Sequence, residues 1–454
     1  MPIRVPITGF LIAAMIIVSS TPTVFAGNGR SRLRLIRDAE IERTIREYAR
    51  PVFATAGMTV DQIKVYLIRD SRLNAFVAGG QNIFINTGLL VRAKTPEQVI
   101  GVIAHETGHI VGGHLIRLRN AIREAQVKQI IAFLLGVGAA IAAKDSRAGA
   151  ATIGLGAKVA EGTFLKYSRA NERAADQFAV TALNRAGISS RGMLEFMKIL
   201  QKQELLVTAN QDPYIRTHPI TSARIDFLEQ QVAISPVSNR RLPPRFNEMH
   251  RRMQAKLVGF LAHPAAVFRT YQPDDNSLPS RYARAVAHHR QAETGEALKL
   301  IDGLIKERPR DPYFHELKGQ ILFESGKAAR AVVSLRTAVK LAPGEALLRM
   351  ALGQALLALG PERTTRAALS HLRVAVRSDA NLPLAWRMLG IAYGKLGQIG
   401  PASLALAEYG LLIGDKKQVY GNIARAERHL KKGSPAWFRI QDLKREMARR
   451  EKGR

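Results

Sequence analysis

Ala297, Ala331, Ala368 and Ala402 recur at intervals of 34, 37 and 34 residues, and Gly319, Gly353 and Gly390 repeat the same 34 and 37. Gly326, Gly360 and Gly397 do likewise, and Pro309 and Pro343 stand 34 apart. Small residues returning at a fixed interval mark a unit that stacks on copies of itself, since Ala and Gly let two helices approach closely. This part of the chain therefore reads as a quasi-linear array rather than as one closed core. The three extra residues between Gly360 and Ala368 are expected in a turn, where an insertion disturbs packing least. Four full units are expected over about 278–415, followed by a helical cap to about Arg449. Helix pairs of this period, with Pro closing each unit, are the pattern of an α-solenoid.

The region before the array has another texture. An amphipathic pattern predicts a helix over Leu35 to Ala54, and Ile63 to Ile68 alternates as a strand does. Asn74-Ala75-Phe76-Val77 and Asn82-Ile83-Phe84-Ile85-Asn86 flank Gly79-Gly80 and read as a hairpin. Thr95 as cap, Pro96 in the first turn and Gln98 closing a capping box open a helix expected to run to about Arg117. Helices are expected from there to about Val232. Ser235-Pro236-Val237-Ser238 and Pro243-Pro244 then predict a break into a basic, irregular linker. The expected division is residues 1–26 as a leader, 27–234 as one domain, 235–277 as the linker and 278–449 as the array.

Arg4, the apolar run from Gly9 to Val18 and the small residues of Val24-Phe25-Ala26 have the form of a signal peptide cleaved after Ala26. The run is shorter than the ~20 apolar residues of a spanning helix. An exported bacterial-type chain is expected, soluble or peripheral after cleavage. Of 454 residues, 68 are Lys or Arg and 37 Asp or Glu, a formal net charge of +31. Such a surplus attracts polyanions. Export and the lack of any base-reading motif argue against nucleic acid, leaving a solvated face or peripheral contact with anionic membrane components. The apolar run Ile130 to Ala143 is too short to span and reads as a core or interface helix, with a membrane-facing hairpin as the alternative. With no cysteine in the chain, thiolate zinc sites and thiol nucleophiles are excluded, so any metal must sit on His, Asp and Glu.

His105-Glu106-Thr107-Gly108-His109 falls inside the helix opened by Thr95. Histidines four apart project from one helical face and can grip one zinc ion, while Glu106 is rotated about 100° and can reach a water without binding the metal. A catalytic zinc needs a third protein ligand. Glu172, in Asn171-Glu172-Arg173-Ala174-Ala175-Asp176, is the candidate, and on a helix Asp176 shares its face and can take the spare ring proton of a ligand histidine. Gly108, Gly112 and Gly113 each cost helix stability and suggest close approach by another element. His114 lies off the His105/His109 face and is assigned to the surface or to the surround of the ligands.

These residues resemble the gluzincin peptidases related to the CAAX prenyl endopeptidases, and Asn74-Ala75-Phe76 ahead of Asn86-Thr87-Gly88-Leu89 resembles that family's substrate-side hairpin. The 34-residue units resemble tetratricopeptide repeats. The resemblance implies a mainly α protein: a zincin-type metallopeptidase domain with a small β-hairpin or sheet, followed by the repeat solenoid. It also implies roles for two residues that spacing alone leaves as a loop histidine and a helix-face charge. His218 becomes a fourth ligand or plug over the metal, and Arg224 a stabiliser of the substrate oxygen.

The expected function is a zinc endopeptidase with His105, His109 and Glu172 as ligands, Glu106 as general base and the Asn74, Ala75, Phe76, Val77 edge as the place where an extended, unfolded or misassembled substrate pairs. For the repeats, the resemblance implies outer-membrane barrel precursors or their assembly machinery as partners. Two rivals remain at this level: a repeat-based chaperone or adaptor with a closed peptidase fold, and a structural metal site with four permanent ligands.

Overall fold

The computed structural model describes residues 34–79, 81–114, 169–204, 214 and 218–452. The leader and Ile130–Ala143 lie outside the described residues. Leu35 and Ile36 are not the start of the first helix but a short strand, β1 (Leu35–Ile36), and α1 (Ala39–Thr55) begins after Asp38, whose carboxylate accepts from the Ile41 N–H at 2.9 Å. That cap stops the chain from entering the helix any earlier. β2 (Lys64–Ile68), β3 (Ala75–Ala78) and β4 (Asn82–Asn86) follow. The sheet order is β1-β2-β4-β3, with β2 and β4 parallel and β3 and β4 an antiparallel hairpin. Among the described residues β3 is thus an edge strand, with one side of its backbone unpaired within the sheet.

α2 (Thr87–Arg92) leads to α3 (Pro96–Val111), which carries the two histidines. The expected capping box is only half present. Thr95 makes no side-chain cap, while the Gln98 side chain accepts from the Lys94 N–H at 2.9 Å. α3 ends at Val111, earlier than Arg117, because Gly112 follows as its cap and Gly113 takes φ +60°, outside helical space. α4 is described over 169–185, followed by α5 (Arg191–Glu204) and α6 (Ser222–Ile234). The apolar faces of α1, α3, α4 and α5 close on β2 and β4 around Ile45, Tyr48, Ile85, Ile100, Ile103 and Leu183.

The stretch expected as an irregular linker is largely helical. α7 (Pro244–Leu261) and α8 (Pro264–Thr270) each begin with Pro in the first turn, where its missing N–H costs nothing. Phe246, Met253 and Leu257 of α7 enter the peptidase-side core, and Ala255 packs with Val267, Ala283 and Ala287 of the next elements. The Pro-rich signal marked helix starts, not absence of structure.

Eight helices then alternate as antiparallel pairs: α9 (Leu278–Arg290), α10 (Thr294–Glu307), α11 (Pro312–Glu324), α12 (Ala328–Leu341), α13 (Ala346–Ala358), α14 (Glu362–Ser378), α15 (Pro383–Lys395) and α16 (Ile399–Ile413). The pair α17 (Lys416–His429) and α18 (Pro435–Lys452) closes the array. A Cβ on Gly319, Gly353 or Gly390 would meet the Cγ of Leu335, Leu372 or Leu406 at 2.5, 2.6 and 2.8 Å, so each glycine admits a leucine of the neighbouring helix. Gly326, Gly360 and Gly397 have φ of +75°, +92° and +70° and turn the chain between helices. The three-residue insertion is not in the turn. α14 has 17 residues where α12 has 14, so the insertion adds most of one helical turn and preserves the buried face to within about 60°.

α1 joins the two parts. Its Ile41, Ile45 and Val52 belong to the peptidase-side core, while its polar residues and the preceding Arg37 reach the repeats. Glu40 Oε2 accepts from the Tyr282 hydroxyl at 2.6 Å, Arg46 pairs with Glu345 at 2.9 Å, and Arg37 pairs with Asp379 at 2.6 Å. From α7, the fully buried Lys256 reaches Asp38, Glu40 and Glu316 at 2.8, 3.5 and 3.3 Å, and Arg252 bridges Glu40 and Asp311.

Candidate metal centre

Gly108 decides where the distant ligand arrives. A Cβ there would lie 2.8 Å from the Ala175 Cα and 2.9 Å from its carbonyl oxygen, so α3 and α4 touch backbone to backbone at this point. Glu172 is thereby carried over the His105/His109 face, one turn before Asp176. Close approach explains Gly108 alone of the three glycines. Gly112 makes room for the His114 ring, and Gly113 supplies the positive φ.

Four residues converge. Ligand-type atoms of His105, His109, Glu172 and His218 all lie within 4.8 Å of one another. His105 Nε2 is 3.1 Å from His109 Nε2, 3.3 Å from Glu172 Oε2 and 3.4 Å from His218 Nδ1. His109 Nε2 is 3.3 Å and His218 Nδ1 is 3.1 Å from Glu172 Oε1. Nitrogen and oxygen donors about 2.0–2.1 Å from a tetrahedral zinc sit about 3.3–3.4 Å apart, and these separations of 3.1–3.4 Å, shared between the two Glu172 oxygens, lie close to that spacing. The residues present therefore fit one zinc ion.

The surround fixes each donor. His105 Nδ1–H donates to Asp176 Oδ1 at 2.8 Å, which turns Nε2 toward the centre. His114 is 2.9 Å from His109 through the two Nδ1 atoms and performs the same service; of the two places left open for it, surface or ligand surround, it takes the second, buried because the turn at Gly113 folds it back. Arg224 is directed at the carboxylates. Its Nε and one terminal nitrogen donate to Asp176 at 2.6 and 2.9 Å, and the other terminal nitrogen reaches Glu172 at 2.9 Å and the Pro219 carbonyl at 2.8 Å. A guanidinium so engaged holds Glu172 and Asp176 in place and has little left to offer a substrate oxygen, which revises the role that the resemblance implies.

Electrostatics follow from this packing. Burial favours a neutral Glu172, but the charge of His218 and hydrogen bonds from His105, His109 and His218 hold its carboxyl far below the usual range. Asp176 is pushed up by burial and pulled down further by Arg224 and His105, ending below its ordinary value. Burial lowers His105, yet Asp176 and Glu172 outweigh it and lift the imidazole to about 9, whereas burial dominates at His109 and lowers it. The centre is thus an anionic cage that favours a cation.

Glu106 is fully buried and neither carboxylate oxygen has a hydrogen-bond partner among the described residues; His218 Nε2 stands 3.6 Å from Oε1. A buried carboxylate left unbonded is costly unless it serves a water or a reacting group. Tyr214, which the sequence reading did not single out, stacks on His218 with ring centroids 4.6 Å apart, and the His218 N–H donates to the Tyr214 carbonyl at 2.7 Å. Its own N–H donates to the Leu73 carbonyl at 3.4 Å, just ahead of β3. Asn74, Ala75, Phe76 and Val77 lie along the sheet edge that packs on α3. A cavity of about 40 Å³ beside Glu172, rimmed by Arg169 and Arg173, has room for water but not for a peptide side chain.

A pair of helical histidines, a buried glutamate from a second helix and an unbonded carboxylate beside them define a zinc metallopeptidase. Residues 35–232 match Peptidase family M48, and residues 282–346 and 317–383 match the Tetratricopeptide repeat. The chain is an M48 metallopeptidase domain followed by tetratricopeptide repeats, and zinc is its cofactor. It is similar to the beta-barrel assembly-enhancing protease of Yersinia pestis, 24% identical over 423 residues that cover 89% of this chain and 83% of the relative. The protein of the same name from Escherichia coli (strain K12) is 23% identical over 424 residues, 89% of this chain and 82% of its own. Metalloprotease YcaL of the same organism is 27% identical over 172 residues, 37% of this chain and 61% of the relative.

Proposed function

We propose that this protease is a periplasmic endopeptidase acting in quality control or assembly of outer-membrane proteins, and that it rests closed with His218 seated in the fourth donor position. The observation that carries this reading is the convergence of four donor residues beside an unbonded Glu106. His105, His109 and Glu172 would hold the metal, whose chemistry when bound would be that of a Lewis acid toward water and a carbonyl. Glu106 takes the proton of the attacking water and returns it to the leaving amine. Asp176 and His114 keep the ligand imidazoles oriented, and Arg224 keeps Glu172 charged and aimed. An extended substrate adds to the free side of β3, reading backbone more than side chain, which suits unfolded chains.

The names of the relatives support the outer-membrane setting, and the leader pattern supports export. Among the described residues no helix is long and apolar enough to cross a membrane. Barrel precursors or their assembly machinery are the proposed partners of the repeats.

The completeness of the donor set also suits a structural site with four permanent ligands. Zinc content and casein proteolysis of the wild type, Glu106→Gln and His218→Ala separate the readings. Glu106→Gln should keep zinc and lose about 10²–10⁴-fold in rate. His218→Ala should keep zinc and cleave faster. Full activity in Glu106→Gln would sink the enzymatic role, and loss of zinc from His218→Ala would make His218 a permanent ligand.

A further inference from the structure

The last helix pair carries a surface that proteolysis does not use. From Lys416 to the C-terminus the chain has 13 Lys and Arg against 4 Asp and Glu, a net +9. Several of these cations are neutralised locally: Arg439 by Glu408, Lys444 by Glu427, Arg445 by Asp442 and Arg450 by Glu446. Arg428, Lys431 and Lys432 are different. All three are exposed at the α17–α18 turn, and none enters an ion pair among the described residues.

The same turn presents aromatic rings. Ile440, Leu443 and Met447 bury one stripe of α18 against Leu411, Val419 and Ile423. Phe438 lies about 200° around the helix from Ile440 and so faces outward, 55% exposed. Trp437 meets it edge-on with centroids 5.3 Å apart. The pair is rigidly mounted, since the N–H groups of Trp437 and Phe438 donate to the Ser434 hydroxyl and carbonyl at 3.3 and 3.0 Å, directly after Gly433 at φ +78°.

We propose that the α17–α18 turn docks the protein on an anionic lipid surface, with Trp437 and Phe438 entering the headgroup region and Arg428, Lys431 and Lys432 pairing with lipid phosphates. A face that only needed solvation would carry the cations without the rings, and a peptide-binding anchor would sit in a pocket instead of standing open. An exposed Phe438 with the half-buried Trp437 beside it, at a turn that also carries three unpaired cations, matches the chemistry of the bilayer interface, apolar below and negative above. The proposal stands apart from the peptidase reading and involves none of its residues.

Co-sedimentation of the full chain with vesicles of phosphatidylcholine alone or with 30% phosphatidylglycerol tests it, in the Glu106→Gln background so that no cleavage intervenes. Any contribution from residues 1–26 is common to all variants, so differences between variants report the turn. Expected is binding to the anionic vesicles that weakens as salt rises, falls by about 30-fold or more in Lys431→Glu/Lys432→Glu and falls by about tenfold in Phe438→Ser. Equal binding of wild type and variants, or no preference for the anionic vesicles, would overturn the proposal. So would soluble polyglutamate competing fully with vesicles while Phe438→Ser has no effect, which would assign the turn to an acidic protein.

Discussion

Gly108 shows how much of a metal site can depend on an atom that is missing. Any side chain there would meet the Ala175 backbone and push α4, with Glu172 and Asp176, away from the two histidines. Gly108→Ala should therefore lower zinc affinity by about tenfold or more and cost about 1–3 kcal/mol of stability, read by metal titration and thermal unfolding. At this scale the sequence was largely legible. Helical spacing located His105 and His109, and an acid repeated at i+4 amid alanines marked Glu172 and Asp176. Tyr214 could not be found this way, because its stacking on His218 is made in the fold and no spacing in the sequence announces it. For His114 the sequence left two places open, surface or ligand surround, because a helix extended past Gly113 does not show the turn that brings it back to His109.

Among the elements, regular repetition was the most readable signal, since each glycine in the series answers one geometric demand. Three substitutions separate those demands. Gly353→Ala drives a Cβ to 2.6 Å from Leu372 and should cost about 1–3 kcal/mol. Gly360→Ala, at φ +92°, should cost about 1–2 kcal/mol through the backbone. Gly344→Ala meets nothing within 4 Å and should be neutral or stabilising by up to about 1 kcal/mol. Thermal unfolding of the three ranks them, and equal costs would contradict the assignment. Element boundaries were less legible: Pro reads as a breaker in sequence, whereas Pro244 and Pro264 begin helices whose apolar residues tie the peptidase core to the repeats.

Across the whole molecule, the junction around Lys256 stores a dependence on pH. Burial pushes Glu316 up, Lys256 opposes it, and the nearby Asp38 and Glu40 carboxylates add to the rise, so that its carboxyl reaches about 7 against an ordinary 4.5. The folded state then holds a proton that the unfolded chain releases. Stability at this junction is greatest below about 4.5 and is lost as pH rises toward 7, by on the order of 1–3 kcal/mol. Glu316→Gln should flatten this part of the profile, seen as a smaller fall in Tm between pH 5 and 7.5. The buried clustering behind this effect had no sequence signature, because Glu40, Lys256 and Glu316 are brought together only by the fold.

The double allegiance of α1 has a consequence for the life of the enzyme. Its apolar side is indispensable to one half of the molecule and its charged side to the other, and α7 wedges between them where a loose tether was expected. Severing the chain there would strand Glu40 and Lys256 without partners, so neither fragment should survive alone. A protease that works among unfolded chains thus has its two halves held together by α1 and α7 rather than by a tether alone.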